Sequence, residues 1–140
     1  MPIPARAHAE GKKASSAFSP TFMEARARAY FAAWNAKGSR ESGASVGAFC
    51  APAGVLRDWD VLVEGGPGPV GAANAKIFAA VPDIQIEVLC VSVAEAARVA
   101  TCEILVHVNN AAKEVLKVCD VLEFEAGEEL LIRRVYAYKG

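Results

Sequence analysis

The sequence has few of the residues that build metal centres. It contains two histidines in 140 residues, and its four cysteines form no C-x-x-C pair. Zinc sites need cysteine or histidine ligands at short, characteristic spacings. We therefore expect no bound metal. We expect the cysteines to be reduced packing residues: Cys50, Cys90, Cys102 and Cys119.

Nucleotide-binding glycine motifs are missing as well. The glycine-rich segment at residues 64–71, EGGPGPVG, has neither the strand-to-helix setting of a dinucleotide fingerprint nor the lysine of a P-loop. We interpret it as a plain loop, and we expect no cofactor.

The chain also lacks an excess of positive charge and a long apolar run. Its formal net charge is -1, which argues against nucleic acid as a partner. No run reaches the roughly 18 apolar residues of a membrane helix, and the opening residues MPIPARAHAEGKKASSAF lack the apolar core of a secretory signal. We expect a soluble cytoplasmic protein without a membrane partner.

The length suits a single domain with one core. We predict a flexible N-terminal tail over residues 1–19 and one domain over residues 20–140. The tail is rich in alanine, serine and basic residues, with Glu10 as its one acidic residue. A short organelle-targeting segment is the alternative interpretation of this tail.

The first helix is predicted to begin at Ser19-Pro20, where a capping residue precedes the residue favoured at the first helical position. Gly38 is predicted to end it. Apolar residues at spacings of three and four form one stripe along it: Met23, Ala27, Tyr30, Phe31 and Trp34.

Two more helices are predicted. One runs from about Ser42 and ends at residues 52–54, and the other ends at Pro82. The segment between them, VLRDWDVLVE, reads as extended. The residues expected on the inner sides are Val46, Phe49 and Cys50 for the second helix, and Val70, Ala73, Ile77 and Val81 for the third.

From residue 84 onward, apolar and polar residues alternate with the period of a strand. Four strands are predicted, over residues 84–90, 100–108, 116–124 and 130–138. Helices early and antiparallel strands late indicate an α+β fold with the helices on one face of a sheet.

One aspartate breaks the alternation in the third of these strands, LKVCDVLEF. Asp120 shares a face with apolar neighbours on both sides, such as Val118 and Leu122. A carboxylate on a buried apolar face must find a partner or stay protonated. Asp120 is therefore a candidate functional residue, the alternative being a structural hydrogen bond to a tyrosine, an arginine or a backbone amide.

Two further residues are candidates. Asp58 stands beside Trp59 at the start of an extended segment, where it would reach the mouth of a pocket. Its alternative is a turn aspartate paired with Arg57. Tyr30 belongs to the buried stripe of the first helix, where its hydroxyl needs a partner; its alternative is an ordinary core tyrosine.

Successive blocks of the chain resemble one superfamily. YFAAWNAKG, FCAPAGVLRDW, IFAAVPDIQIEV and KVCDVLEFEAGEELLIRRVYAY are similar to the blocks of SnoaL-like, nuclear transport factor 2-like proteins, from about residue 21 to the C-terminus. The resemblance implies a cystatin-like, cone-shaped, curved antiparallel sheet wrapped by three helices. It also implies a deep apolar pocket for a small ligand and a homodimer.

Within that superfamily, the chain resembles ketosteroid isomerase at three positions. Tyr30 matches its helix tyrosine, Asp58 its aspartate base and Asp120 its late-strand aspartic acid. In that enzyme the strand acid stays protonated at neutral pH and donates a hydrogen bond. The resemblance thus explains how an acid on an apolar face would be tolerated.

We expect a cofactor-independent proton-transfer enzyme, an isomerase or cyclase, that acts on an apolar carbonyl compound. The resemblance implies catalytic roles for Tyr30, Asp58 and Asp120. The alternative is a non-catalytic ligand-binding or dimeric assembly module of the same fold. We expect the ligand to contact Trp34, Trp59, Phe78 and Leu122, and the dimer to form through the outer sheet face that carries Val115, Lys117, Cys119, Val121 and Glu123.

Overall fold

The structure, a computed structural model, describes residues 20–36 and 42–140. The predicted tail and the predicted helix stop at Gly38 lie outside the described residues. Three helices and six strands make up the described part of the chain. They are α1 (Pro20–Asn35), α2 (Ala44–Gly47), α3 (Pro67–Ala80), β1 (Cys50–Arg57), β2 (Leu62–Glu64), β3 (Gln85–Ala94), β4 (Val99–His107), β5 (Val115–Phe124) and β6 (Ile132–Lys139).

The strands form one curved sheet that does not close, in the order β2-β1-β6-β5-β4-β3. The predicted α+β class, with three helices and a curved sheet, is confirmed. The sheet is not wholly antiparallel, because β1 pairs with β6 in parallel. Parallel neighbours need a long crossover connection, and here α3 and the strands β2 to β5 provide it.

The second predicted helix is wrong beyond its first turn. Helix α2 ends at Gly47, and Cys50 already begins β1. Pro52 was expected to end a helix, but it lies within β1, where the pairing with β6 shifts register between Cys50 and Val55. Such an irregularity accommodates a residue that cannot donate to the ladder.

Helix α3 begins earlier than predicted, inside the segment interpreted as a loop. Pro67 stands in its first turn, where the missing N–H of proline costs nothing. Gly66 precedes it with φ 86°, and a β-carbon there would collide with the Pro52 carbonyl. Glycine is therefore required where β2 turns into α3.

The stripe predicted for α1 is buried against the sheet, and Phe31, Leu122 and Phe124 are among the most deeply buried side chains. All four cysteines are free. The prediction that they all pack inside is wrong for Cys90, which is exposed. A bulge between Val88 and Cys90 interrupts the alternation of β3 and turns Cys90 outward.

The side chain of Asn35 ties helix α1 to the edge strand β3. The Asn35 amide donates to the Ile86 carbonyl and accepts from the Ile86 N–H, both at 2.8 Å. It thus satisfies backbone groups that an edge strand leaves without a neighbouring strand. No helix among the described residues has the length and apolar character needed to cross a membrane.

Replacing Asn35 with alanine should lower the free energy of unfolding by about 1–3 kcal/mol, because the Ile86 N–H and C=O lose their partner in a half-buried setting. Urea denaturation measures the change. Gln85→Ala is the neighbouring control, since its amide contacts the Asn35 carbonyl at 3.5 Å, and it should cost less than about 0.5 kcal/mol. Equal losses in the two variants would contradict the role given to Asn35.

Candidate active site

A cavity of about 760 Å³ lies between the inner face of the sheet and helices α1 and α3. Most of its lining is aliphatic, from α3 and from strands β3 to β6. This size lies within the range of small-molecule sites, which combine apolar walls with a few polar groups. The polar and aromatic side chains that line it are Tyr30, Trp34, Asp58, Trp59, Asp60, Asn74, Lys76 and Asp120.

The alternation of β5 carries Asp120 to the cavity. Val118 and Leu122, two residues away on either side, share its face and are buried. Asp120 is directly opposite Cys102 on β4 and Ala137 on β6. Its side chain is 7% exposed, so the sequence prediction that this aspartate enters an apolar face is confirmed.

Asp120 has no ion-pair or hydrogen-bond partner among residues 20–36 and 42–140. The arginines that would have supplied one, Arg133 and Arg134, both pair with Glu123, at 2.6 and 3.4 Å. Glu123 lies three residues from Asp120, on the other face of the strand. The structural hydrogen bond considered as an alternative role is therefore not found in the described part of the chain.

Desolvation changes the acidity of this group. Burial raises the pKa of Asp120 from 3.8 to about 7, and the negative charge of Asp58 contributes in the same direction. The charged form is disfavoured because burial removes hydration from the carboxylate and no cation among the described residues pairs with it. Near neutral pH a large fraction of Asp120 is therefore a neutral acid, able to donate a hydrogen bond.

Tyr30, like the neutral Asp120 carboxyl, is a hydrogen-bond donor that lines the cavity. Its ring packs edge-on against Phe31 and Phe49, with centroids 5.1 and 5.8 Å apart. Burial is the main cause that raises the pKa of Tyr30 far above its usual range, and the negative charge of the nearby Asp120 acts in the same direction. The hydroxyl stays protonated, and among the described residues it has no hydrogen-bond partner, Asp120 included.

Asp58 lies in the turn between β1 and β2, and its carboxylate is held there by backbone groups of the same turn. Its Oδ1 accepts hydrogen bonds from the N–H groups of Asp60 and Val61, both at 2.7 Å. This arrangement leaves Oδ2 available. The pairing with Arg57 considered from the sequence is not found; the Arg57 guanidinium lies over the Tyr136 ring instead.

Tyr30, Asp58 and Asp120 therefore line one cavity, which a concerted chemical role requires. Trp34 and Trp59 line it too. The other two expected ligand contacts lie outside the lining: Phe78 packs edge-on against Trp34 at 4.6 Å, and Leu122 is fully buried in the core.

Sequence reasoning missed Asn74. It is 2% exposed and lines the cavity from α3. The signal was present, because Asn74 follows Val70 by four residues and precedes Phe78 by four, on an otherwise apolar helical stripe. A polar side chain on an otherwise apolar face is as notable on this helix as Asp120 is on its strand.

No protein-family model and no curated protein sequence matches the chain. Solved structures do match it over most of its length. A proposed isomerase of the SnoaL-like family from Agrobacterium tumefaciens has a TM-score of 0.68 at 17% identity, covering 83% of this chain and 95% of that one.

Two other structures give similar values. An epoxide hydrolase/cyclase-like enzyme of salinomycin pyran-ring formation has a TM-score of 0.64 at 11% identity, covering 88% and 94% of the two chains. A protein from Catenulispora acidiphila with a ketosteroid isomerase-like fold, bound to trimethylamine, has a TM-score of 0.65 at 20% identity, covering 81% and 83%. At these identities the likeness establishes the fold, and the function must be argued from the site.

The raised pKa of Asp120 predicts how the stability of the protein changes with pH. Because its pKa is raised in the folded state, folding binds a proton between about pH 4 and pH 7, so stability falls as pH rises through that window and levels off above it. The slope attributable to this group is at most about 1.4 kcal/mol per pH unit.

Asp120→Asn keeps the shape and removes the titration, so the difference between the two proteins isolates the effect. Urea denaturation across pH 4 to 8 measures it, and carbon-detected NMR of the Asp120 carboxyl reports the pKa directly. A midpoint near the ordinary value for aspartate, with parallel stability profiles, would show that the carboxyl is solvated.

Proposed function

We propose that the protein is a cofactor-independent proton-transfer enzyme that isomerises or cyclises an apolar carbonyl compound. The observation that carries this proposal is the convergence of Tyr30, Asp58 and unpartnered Asp120 on one apolar cavity. Two of these groups donate hydrogen bonds without charge near neutral pH, and the third offers a carboxylate oxygen. Such a set separates acid and base roles by environment.

The chemistry follows from the donor set. Asp58 Oδ2 takes a proton from the carbon next to the substrate carbonyl, and the electron pair of that C–H bond moves to form an enolate. The developing negative charge on oxygen accepts hydrogen bonds from the Tyr30 hydroxyl and the protonated Asp120 carboxyl. Donors that are already in place stabilise this charge most where water is excluded. When the substrate also carries a C=C bond beyond this carbon, the enolate is a dienolate; it takes the proton at the far carbon of that bond, the carbonyl re-forms and the double bond shifts into conjugation with it, which completes an isomerisation.

The solved structures support the class of reaction. One similar protein is described as a proposed isomerase and another as an epoxide hydrolase/cyclase-like enzyme.

The second candidate function is binding without catalysis, in which the same cavity holds a small ligand. The trimethylamine complex of a protein with this fold favours it, because a buried aspartate without a cation also suits an amine. An assembly module remains a third use of the fold.

Hydrogen exchange tests the catalytic proposal without knowledge of the natural substrate. α-Tetralone is a compact apolar ketone with acidic hydrogens next to its carbonyl, and proton NMR in D₂O follows their replacement by deuterium. The protein should accelerate this exchange over buffer. Asp58→Asn removes the base and should reduce the protein-catalysed rate by about 100-fold or more, with little change in tetralone affinity.

Asp120→Asn is the matched variant, because its amide still donates to the enolate oxygen. It should retain partial exchange activity, since a neutral donor replaces another neutral donor. If wild type binds tetralone but exchange proceeds at the buffer rate, the protein is a binder and the catalytic proposal fails.

We also propose that the chain forms a homodimer through the outer face of the sheet. Val115 and Tyr138 are 47% and 56% exposed there, and Cys119 lies directly opposite Tyr138. Neighbouring Val121 lies opposite Thr101 and Tyr136. Apolar side chains gathered on one exposed face favour an interface, and the same patch on each copy suits two-fold symmetry.

Sedimentation at micromolar concentration should give twice the monomer mass. Val121→Glu places a charge in the centre of the patch and should yield a folded monomer, as judged by circular dichroism. Lys113→Glu, in the turn before β5, is the control and should remain dimeric. A monomeric wild type contradicts the proposal.

A further inference from the structure

Asn74 has more hydrogen-bonding capacity than the protein uses. Its Oδ1 accepts from the Trp34 indole N–H at 3.0 Å, and its Nδ2 donates to the Val70 carbonyl at 2.9 Å. The orientation of the amide is fixed, because an indole can only donate and a carbonyl can only accept. The nitrogen carries a second N–H, for which no residue in the described ranges provides an acceptor.

The residue that carries this second N–H is buried and lines the cavity. Asn74 is 2% exposed and belongs to the cavity lining. A buried donor without an acceptor carries the cost of its lost hydration. A ligand oxygen at this point would remove that cost, whereas an aliphatic group would preserve it.

The position of Asn74 relative to the catalytic groups follows from the helices. Trp34, its hydrogen-bond partner, lies four residues after Tyr30 on α1, and residues so spaced are about 6 Å apart on one face. On α3, Asn74 likewise lies one turn beyond Val70, which packs in the core with Tyr30. The hydrogen-bond partner of the amide thus lies about one helical turn from Tyr30.

The cavity extends along several residues of β5. Leu116 and Asp120 line it from the same strand, and four residues of strand extend about 13 Å. Apart from its polar and aromatic residues, the cavity that Tyr30, Asp120 and Asn74 share is lined by aliphatic side chains. A cavity of about 760 Å³ has room for a rigid molecule of two or three fused rings.

We propose that Asn74 is a second polar anchor for the ligand, and that the substrates are apolar carbonyl compounds with another oxygen about one helical turn from the reacting carbonyl. The inference rests on the proposed function, which supplies the position of the carbonyl. Asn74 itself does not take part in proton transfer; it selects and orients. The competing role is purely structural, in which Asn74 serves only to join α1 to α3 through Trp34.

Matched ligands distinguish the two roles. Isothermal titration calorimetry would compare α-tetralone with hydroxytetralones whose hydroxyl lies at different distances from the carbonyl. The hydroxytetralone of matching distance should bind wild type about tenfold more tightly than tetralone, as expected for one hydrogen bond to an otherwise unpaired donor. Isomers with the hydroxyl beside the carbonyl should show no gain.

Asn74→Leu should abolish this preference, so that tetralone and the matching hydroxytetralone bind equally. Because it also leaves the Trp34 N–H without an acceptor, the double variant Asn74→Leu with Trp34→Phe provides a second test in which both partners are removed together. Trp34→Phe alone breaks the link between the helices but keeps the amide, and it should retain the preference. A structural role predicts the same behaviour for Trp34→Phe and Asn74→Leu.

The outcomes separate this inference from the function on which it rests. If tetralone binds and its hydrogens exchange, but wild type shows no preference for any hydroxytetralone, the role of Asn74 is refuted while the proposed function stands. The role of Asn74 is also refuted if the folded double variant still binds the matching hydroxytetralone more tightly than tetralone. If none of these ketones binds, the proposed function fails and the anchor fails with it.

Discussion

The carboxyl of Asp120, buried without a partner, is the constraint on which the rest of the site depends. A strand in an ordinary core would place an aliphatic side chain there, and replacing it with an acid costs the hydration of that acid. Desolvation shifts the pKa of Asp120 to about 7, so a large fraction of this unpaired group is neutral near neutral pH. A neutral acid facing an apolar cavity is a hydrogen-bond donor, and this property makes the neighbouring Tyr30 and Asp58 functionally interesting.

The alternation of β5 keeps Arg133 and Arg134 away from Asp120. Alternation along β5 sends Glu123 to the outer face, and there it binds both Arg133 and Arg134. If a substitution of Glu123 freed either arginine, that arginine would still lie on the face of the sheet opposite to Asp120. The period of two therefore separates a solvated charge network from the cavity by the thickness of one sheet, and the low polarity around Asp120 follows from strand geometry.

Local patterns predicted the parts of the fold that depend on local sequence. The stripe of α1, the four late strands and the inward position of Asp120 all follow from spacing alone. The parallel pairing of β1 with β6 joins residues far apart in sequence, so no local pattern reveals it. The bulge that turns Cys90 outward is a similar case, since an extra residue in one strand is visible only against its partner. The two tryptophans were expected at the cavity and line it, while Phe78 and Leu122 show that an apolar face alone does not distinguish a cavity wall from the core behind it.

Each of the three polar groups is held in place by a different means, and none of them relies on a ligand. Two backbone amides fix Asp58 Oδ1, two aromatic rings fix Tyr30, and the hydrogen-bonded ladder of β5 between β4 and β6 fixes Asp120. Groups held in this way lose little further entropy when a substrate binds, which is the condition for effective electrostatic stabilisation. A structural aspartate would gain stability from a partner, and neighbouring side chains on this sheet have such partners. That Asp120 instead faces the cavity, at a cost to folding that grows as pH rises toward 7, is the physical basis of the proposed ligand role of this position.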